Sequence, residues 1–464
     1  MGLIKNIIQA FKAAITGSEK DFTSGSIKRA VFLLAVPMIL EMFMESAFAL
    51  ADILFVSSIG VDAVATVGLT ESVVTLVYAV AIGLSMGATA MVSRRIGEKD
   101  VRGAEIVAVQ AISLGVIVSV IIGVIGVFFS KEVLSLMGAE PEVVESGFRY
   151  TQIILGSNVV IMLLFLINAI FRGAGEASIA MWLLVFSNLF NIILDPMLIF
   201  GIGPFPEMGV TGAAVATVTG RSLAVLSQLA ILFFGWSKIK LSIKNFVIDV
   251  KVMIRLVKIS LGGIGQFIIG TSSWIVLMRI ISVFGTEVIA GYTIAIRVML
   301  FTLMPSWGMS NAAATLVGQN LGAKQPERAE KSVWLTSKYN AIFMAIVSVL
   351  YLVFAPYLIS LFSTESAVVH YGALSLRVIA LGYVFYAYGM VVSQSFNGAG
   401  DTKTPTIINF ICFWIYQLPL AYFTAIVLNW GPVGVLIGIT SAEVLIAIMS
   451  IYWFRKGKWK KIEV

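Results

Sequence analysis

Glu41, Glu45 and Asp52 are the first residues whose types and spacing could do chemistry, because all three sit inside the apolar stretch 31–57. At about 100° per helical residue, with Glu41 at zero, Glu45 falls near 40°, Phe48 near −20° and Asp52 near 20°. One stripe of a helix carries all three acids. A charge at mid-bilayer costs at least about 2.5 to 3.5 kcal/mol on insertion scales, so this stripe must face a wet cavity or partners rather than lipid. Carboxylates so placed can take up and release protons or cations. Pro37 lies in the first third of the stretch, where its missing N–H and its ring predict a kink that could act as a hinge.

The helix that positions these acids belongs to a polytopic membrane protein. The chain of 464 residues is 59% hydrophobic and 12% charged, with mean hydropathy +0.98, whereas a soluble domain carries about 25% charged residues. Twelve apolar stretches are long enough to span a bilayer, at 31–57, 64–91, 104–129, 147–171, 177–200, 210–235, 254–284, 288–317, 331–355, 369–396, 404–428 and 433–454. Little chain is left for a soluble domain. Cys412 is the single cysteine and His370 the single histidine, so neither a disulfide nor a two-histidine metal site can form within the chain. With no hydrolase motif either, the sequence predicts a protein that is not an enzyme and needs no cofactor.

Basic residues crowd alternate loops. Arg94, Arg95, Lys99 and Arg102 form one group, Lys238, Lys240, Lys244, Lys251, Arg255 and Lys258 a second, and Lys324, Arg328 and Lys331 a third. Both tails are basic too, so both termini are expected in the cytoplasm, and the net charge of +7 requires no nucleic acid. Leu3, Ile4, Ile7, Ile8, Phe11 and Ile15 recur at helical spacing opposite Lys5, Gln9 and Lys12, which predicts a helix lying on the inner leaflet. The expected organisation is an amphipathic N-terminal segment (1–30), a first lobe (31–236), a cytoplasmic linker (237–253), a second lobe (254–455) and a basic tail (456–464).

Two lobes follow from an internal repeat. Gly60 matches Gly285, Gly97 matches Gly322, Lys99 matches Lys324, Phe171 matches Phe396 and Gly175 matches Gly400, all 225 residues apart. After a three-residue gap, Gly209 and Gly212 fall on Gly431 and Gly434. Each copy holds six spans, an even number, so both enter the membrane in the same direction about an axis along its normal. At the same offset Asp52 falls on Leu277, Glu41 on Gln266, Glu45 on Gly270 and Asp195 on Leu420. The second copy lacks every one of these acids, and ion coupling is therefore expected in the first.

The run Phe22-Thr-Ser-Gly-Ser-Ile-Lys28, Ala35-Val-Pro-Met38, Leu50-Ala-Asp-Ile53 and Asn191-Ile-Ile-Leu-Asp-Pro196 resemble the multidrug and toxic compound extrusion (MATE) transporters, as do Phe171-Arg-Gly-Ala-Gly175 and Gly209-Val-Thr-Gly-Ala-Ala214. The pattern is most similar to the DinF-like branch. The resemblance implies an all-α membrane protein with twelve helices in two pseudo-symmetric lobes that form a V. It also implies export of cationic or amphipathic, often aromatic, compounds in exchange for protons or sodium. Asp52, Asn191, Asp195 and Thr217 match that branch's ion-coupling residues, which would be the ligands if the ion is sodium. Phe48 stands where some relatives have tyrosine, and Glu41 and Glu45 are additional acids without a family role.

Depth supports the same grouping, since Asp52 and Asp195 each lie about five residues, or roughly 8 Å, below the outer end of their spans. Two carboxylates, an amide oxygen and a hydroxyl suit a small hard cation, and without one the two acids would share a proton. Plainer structural readings stand beside this. Asn191 could bond across helices, Thr217 could bond back to its own helix and Asp195 could cap backbone freed by Pro196. Glu45, Glu41, Phe48 and Asn168 are candidates for the substrate cavity, although Asn168 also suits a helix-to-helix contact. The expected partners are small-molecule substrates and membrane lipids around a monomer in the cell inner membrane. A lipid or lipid-linked oligosaccharide flippase of the same superfamily is the alternative, and it would prefer a cavity lined with Arg and Lys.

Overall fold

The computed structural model describes residues 2–17, 21–57, 59–242 and 248–464, without side chains at 2–7, 49–51, 53, 54, 57 and 61. Lys244, part of the N-terminal linker (18–20), and the apolar face predicted at residues 3–7 lie outside this description. The fold is all-α, and no strand occurs among the described residues.

A surface helix, α1 (Gly2–Thr16), leaves Ile8 and Phe11 exposed and is pinned where Trp182 Nε1 donates to the Ile15 carbonyl at 2.8 Å. The first lobe then runs through α2 (Ile27–Ser57), α3 (Val61–Gly97), α4 (Val101–Phe128), a short α5 (Ser130–Leu136), α6 (Pro141–Gly156), α7 (Asn158–Ala174), α8 (Ala177–Ile199) and α9 (Gly209–Phe234). The second follows with α10 (Val250–Ile281), α11 (Thr286–Gly322), α12 (Pro326–Ser360), α13 (Ser366–Ala380), α14 (Tyr383–Ala399), α15 (Lys403–Asn409), α16 (Leu418–Tyr422) and α17 (Pro432–Arg455). Among the described residues, eleven apolar helical segments could each cross a membrane, and the pair α13 and α14 supplies a twelfth.

Two spans expected as single helices are broken. The fourth divides into α6 and α7 at Ser157, whose hydroxyl bonds back to the Ile153 carbonyl at 2.5 Å and competes with the helical ladder. The tenth bends by 58° between α13 and α14, at Leu381 and Gly382. Ser157 and Gly382 are 225 residues apart, so the break belongs to the repeat. In the eleventh span, α15 and α16 alternate with π-helical turns at 410–417 and 423–427, on both sides of Pro419. Proline removes a backbone donor, and wider turns are one way a helix absorbs the loss.

Backbone angles carry the repeat at atomic detail. Lys99 and Lys324 have φ of 60° and 57°, and of the described non-glycine residues only Asn429 shares that region. In both turns the chain closes with the same bonds, Asp100 N–H to the Arg95 carbonyl at 2.9 Å and Gln325 N–H to the Asn320 carbonyl at 2.8 Å.

Each lobe has its own apolar core, the first around Leu166, Ile170 and Phe171, the second around Tyr292, Leu376 and Tyr383. Helix α10 links them, beginning in the first core with Leu256 and Ile259 and ending in the second with Leu277 and Ile281. The lobes meet through glycines in the half that bears both termini. A Cβ on Gly83 would lie 2.7 Å from the Ile264 nitrogen, and one on Gly308 would lie 2.7 Å from the Met38 carbonyl. The V is therefore closed at that face. Pro37 sits inside α2, which runs unbroken through it, directly beside the Gly308 contact.

Gly308→Val is expected to prise α11 from α2 and depopulate this closed face. Hydrogen exchange of the amides at 36–42 should rise several-fold, and unchanged protection would mean that the contact does not hold the lobes together.

The C-terminal tail closes over the same face. Trp459 stacks on Phe454 with centroids 4.6 Å apart, Lys460 pairs with Glu330 at 2.5 Å, and Arg94 donates to the Ile462 carbonyl at 2.6 Å. Ahead of α2, hydrogen bonds from Thr23 and then Ser24 hold the Asp21 carboxyl below its usual range, against a small opposing effect of burial. That turn is firmest above the ordinary carboxylate range and loosens as pH falls through the depressed value.

Candidate functional site

Helices α8 and α9 approach closely because Gly212 and Gly220 lie against the Leu198 carbonyl and the Asn191 Cβ, where a methyl group would be crowded. This packing brings Asn191 and Asp195, one turn apart on α8, to Thr217 on α9. Asn191 Nδ2 lies 3.5 Å from Asp195 Oδ1 and 3.4 Å from Thr217 Oγ1. Both bonds are long. Asp195 is fully buried, and among the described residues its Oδ2 and the Asn191 Oδ1 have no hydrogen-bond partner. Buried oxygens normally find partners, and two orphaned ones beside a carboxylate suit a proton or a small cation. Asp52 of α2 is near enough for its charge to act on Asp195. The four expected ion-site residues therefore gather in one region of the first lobe.

The acid stripe of α2 faces the interior of that lobe, but its members meet different partners. Glu41, 1% exposed, pairs with Arg172 at 2.8 Å and accepts from Asn168 Nδ2 at 3.2 Å, while Gln228 Nε2 donates to Asn168 Oδ1 at 2.7 Å. This chain ties α2 to α7 and α9. Phe48 is buried, with the Arg221 guanidinium 5.7 Å from its ring centre. Glu41 and Phe48, candidates for the cavity wall, are instead buried in packing, because each finds a complementary partner on a neighbouring helix, and Asn168 makes the helix-to-helix contact that was its other reading. Glu45 does line the cleft between the lobes, a cavity of about 200 Å³ that it shares with Arg172, Phe165, Met304 and Trp307.

A family model described as MatE matches residues 37–197 and 264–423, one segment in each lobe. This chain belongs to the MatE family. It is 27% identical to a probable multidrug resistance protein of Thermotoga maritima, over 94% of each chain. It is also 25% identical to an FAD transporter of Shewanella oneidensis, over 92% of this chain and 94% of that one. Among solved structures, an outward-facing multidrug resistance MATE transporter superposes with a TM-score of 0.89 at 27% identity, covering 95% of this chain and 98% of the other. The chain is a multi-pass membrane protein of this V-shaped, two-lobed fold.

Two charged residues of this MatE protein were not anticipated as parts of the site. Arg221, inside α9, is a hub: its guanidinium lies 3.4 Å from the Tyr78 hydroxyl and within electrostatic reach of Asp52, Glu45 and Glu71. Glu71, on the half of α3 away from the termini, shares that cation with Asp52. The signal was available, since an arginine and a glutamate lie within apolar spans, but neither has the i, i+4 spacing that marked the α2 stripe. Glu41 and Arg172 also had a signal, because the repeat places them on Gln266 and Asn397. Those two residues hydrogen-bond reciprocally in the second lobe, at 2.9 and 3.1 Å.

Proposed function

We propose that this MatE protein is a secondary antiporter that exports cationic or amphipathic aromatic compounds in exchange for protons or sodium. The carrying observation is the buried cluster of Asp195, Asn191 and Thr217, with two orphaned oxygens and the charge of Asp52 close by. A proton on the carboxylates, or sodium among carboxylate, amide and hydroxyl oxygens, relieves the same electrostatic conflict. Substrate and ion then favour different arrangements of the lobes, which is the requirement for exchange. The basic loops put the termini in the cytoplasm, so the closed face is the inner one and the cleft is accessible from outside. Pro37, beside the Gly308 contact, is the point at which α2 would bend.

Arg172 is the one cation on the walls of the two larger cavities among the described residues, and Glu41 already pairs with it. That composition disfavours a flippase for phosphate-bearing lipids. Uptake of ethidium into proteoliposomes, with proton and sodium gradients imposed separately, tests the reading. One gradient should drive accumulation; accumulation indifferent to both would remove the antiport mechanism.

A further inference from the structure

The second lobe contains a cavity of about 380 Å³, built by α10, α11, α14, α17 and the eleventh span (Asn409 and Phe413) and closed on one side by Ile82 and Met86 of α3. That volume is in the range of small-molecule sites, roughly 300 to 1,000 Å³. Its walls include Phe267, Trp274, Trp307, Tyr386 and Phe413, and one acid, Glu443. Glu443 is half-buried within a membrane-spanning helix, yet among the described residues it has no ion pair or hydrogen bond. Tyr386 and Cys412 lie within electrostatic reach of it, and neither is a cation. An acid at membrane depth is costly unless something positive or a proton accompanies it.

The repeat sharpens this observation. At the offset that matches Gly209 to Gly431 and Gly212 to Gly434, Glu443 falls on Arg221. In the first lobe that station holds a cation surrounded by Tyr78, Glu45, Glu71 and Asp52. In the second lobe the charge is inverted: the three acids Glu45, Glu71 and Asp52 are replaced by Gly270, Ile296 and Leu277, and Tyr78 by Leu303. Among the described residues, no cation lines the cavity to balance it. The aromatic residues that share the cavity with Glu443 carry electron-rich ring faces that attract cations, tryptophan most strongly.

We propose that the second lobe holds its own binding site for a monovalent aromatic cation, with Glu443 as counter-ion and Trp274, Tyr386 and Phe413 as the ring-bearing wall. The site deepens the export reading by naming the charge class of cargo and the lobe that receives it. It is separate from the ion site, which lies in the first lobe.

Ethidium, a planar cation, and N-phenylnaphthylamine, an uncharged aromatic, are titrated by fluorescence against the purified full chain in nanodiscs. Glu443→Gln should weaken ethidium by about tenfold or more, the scale of a desolvated charge pair, while N-phenylnaphthylamine changes little and Glu443→Asp recovers most of the ethidium affinity. Trp274→Leu serves as a second variant if Glu443→Gln fails to fold, and it should weaken ethidium more than the uncharged probe. Equal loss for both probes, or unchanged ethidium binding, overturns the site. Wild-type protein that binds ethidium and exports it along a gradient, with Glu443→Gln indistinguishable from it, sinks this proposal and leaves the antiporter standing. Wild-type protein that binds no ethidium sinks both.

Discussion

Glu41→Gln is expected to lower the unfolding free energy by about 3 kcal/mol or more, because it strips the carboxylate from a cation buried between helices. Arg172 has 12% of its side chain exposed and Glu41 2%, so water cannot replace the lost partner well. The second lobe supplies the remedy. Gln266 and Asn397 occupy the equivalent stations and bond reciprocally without charge. The double variant Glu41→Gln, Arg172→Asn should therefore recover most of the stability that either single change removes, since it deletes the unpaired charge. Thermal unfolding in detergent checks this directly. A double variant less stable than both single variants would mean that the neutral pair depends on something particular to the second lobe.

Asp195→Asn is expected to abolish gradient-driven uptake, and Asp52→Asn to reduce it at least as far as the detection limit of the assay. The reasoning is electrostatic: an amide of the same shape cannot exchange a proton and cannot neutralise sodium, so the cluster with Asn191 and Thr217 stays in one charge state. Substrate binding should survive, because Asp195 is fully buried and the cavity walls lie elsewhere. Exchange of labelled for unlabelled substrate without a gradient separates the two effects. Wild-type rates of gradient-driven uptake in either variant would remove that residue from coupling.

The elements were legible in the sequence to a large extent, for physical reasons that can be named. Membrane spans need long apolar runs, and backbone geometry at Lys99, Lys324, Gly175 and Gly400 leaves a positional signature that survives in both copies. The 225-residue spacing therefore exposed the two lobes. Helix breaks at Ser157 and Gly382 were hidden because apolar runs continue on both sides of them, so each span reads as one long stretch. Within the site, Asp195, Asn191 and Thr217 were grouped by depth and resemblance, and their packing depends on Gly212 and Gly220. The role of Glu41 was not legible from periodicity alone, since a stripe fixes the face of a helix but not the partner waiting at each height. Reading Glu41 and Arg172 together with Gln266 and Asn397 would have paired them, because complementary polar pairs recur at matched stations.

Coupling by the first lobe is tested most directly by ion release on substrate binding. If substrate and ion oppose one another, each must weaken the other's binding by the same factor. Saturating ethidium added to weakly buffered wild-type protein should release protons, or displace radioactive sodium from sodium-loaded protein. Asp195→Asn should bind ethidium and release neither. Release of wild-type size from Asp195→Asn would place the coupling ion outside the first-lobe cluster.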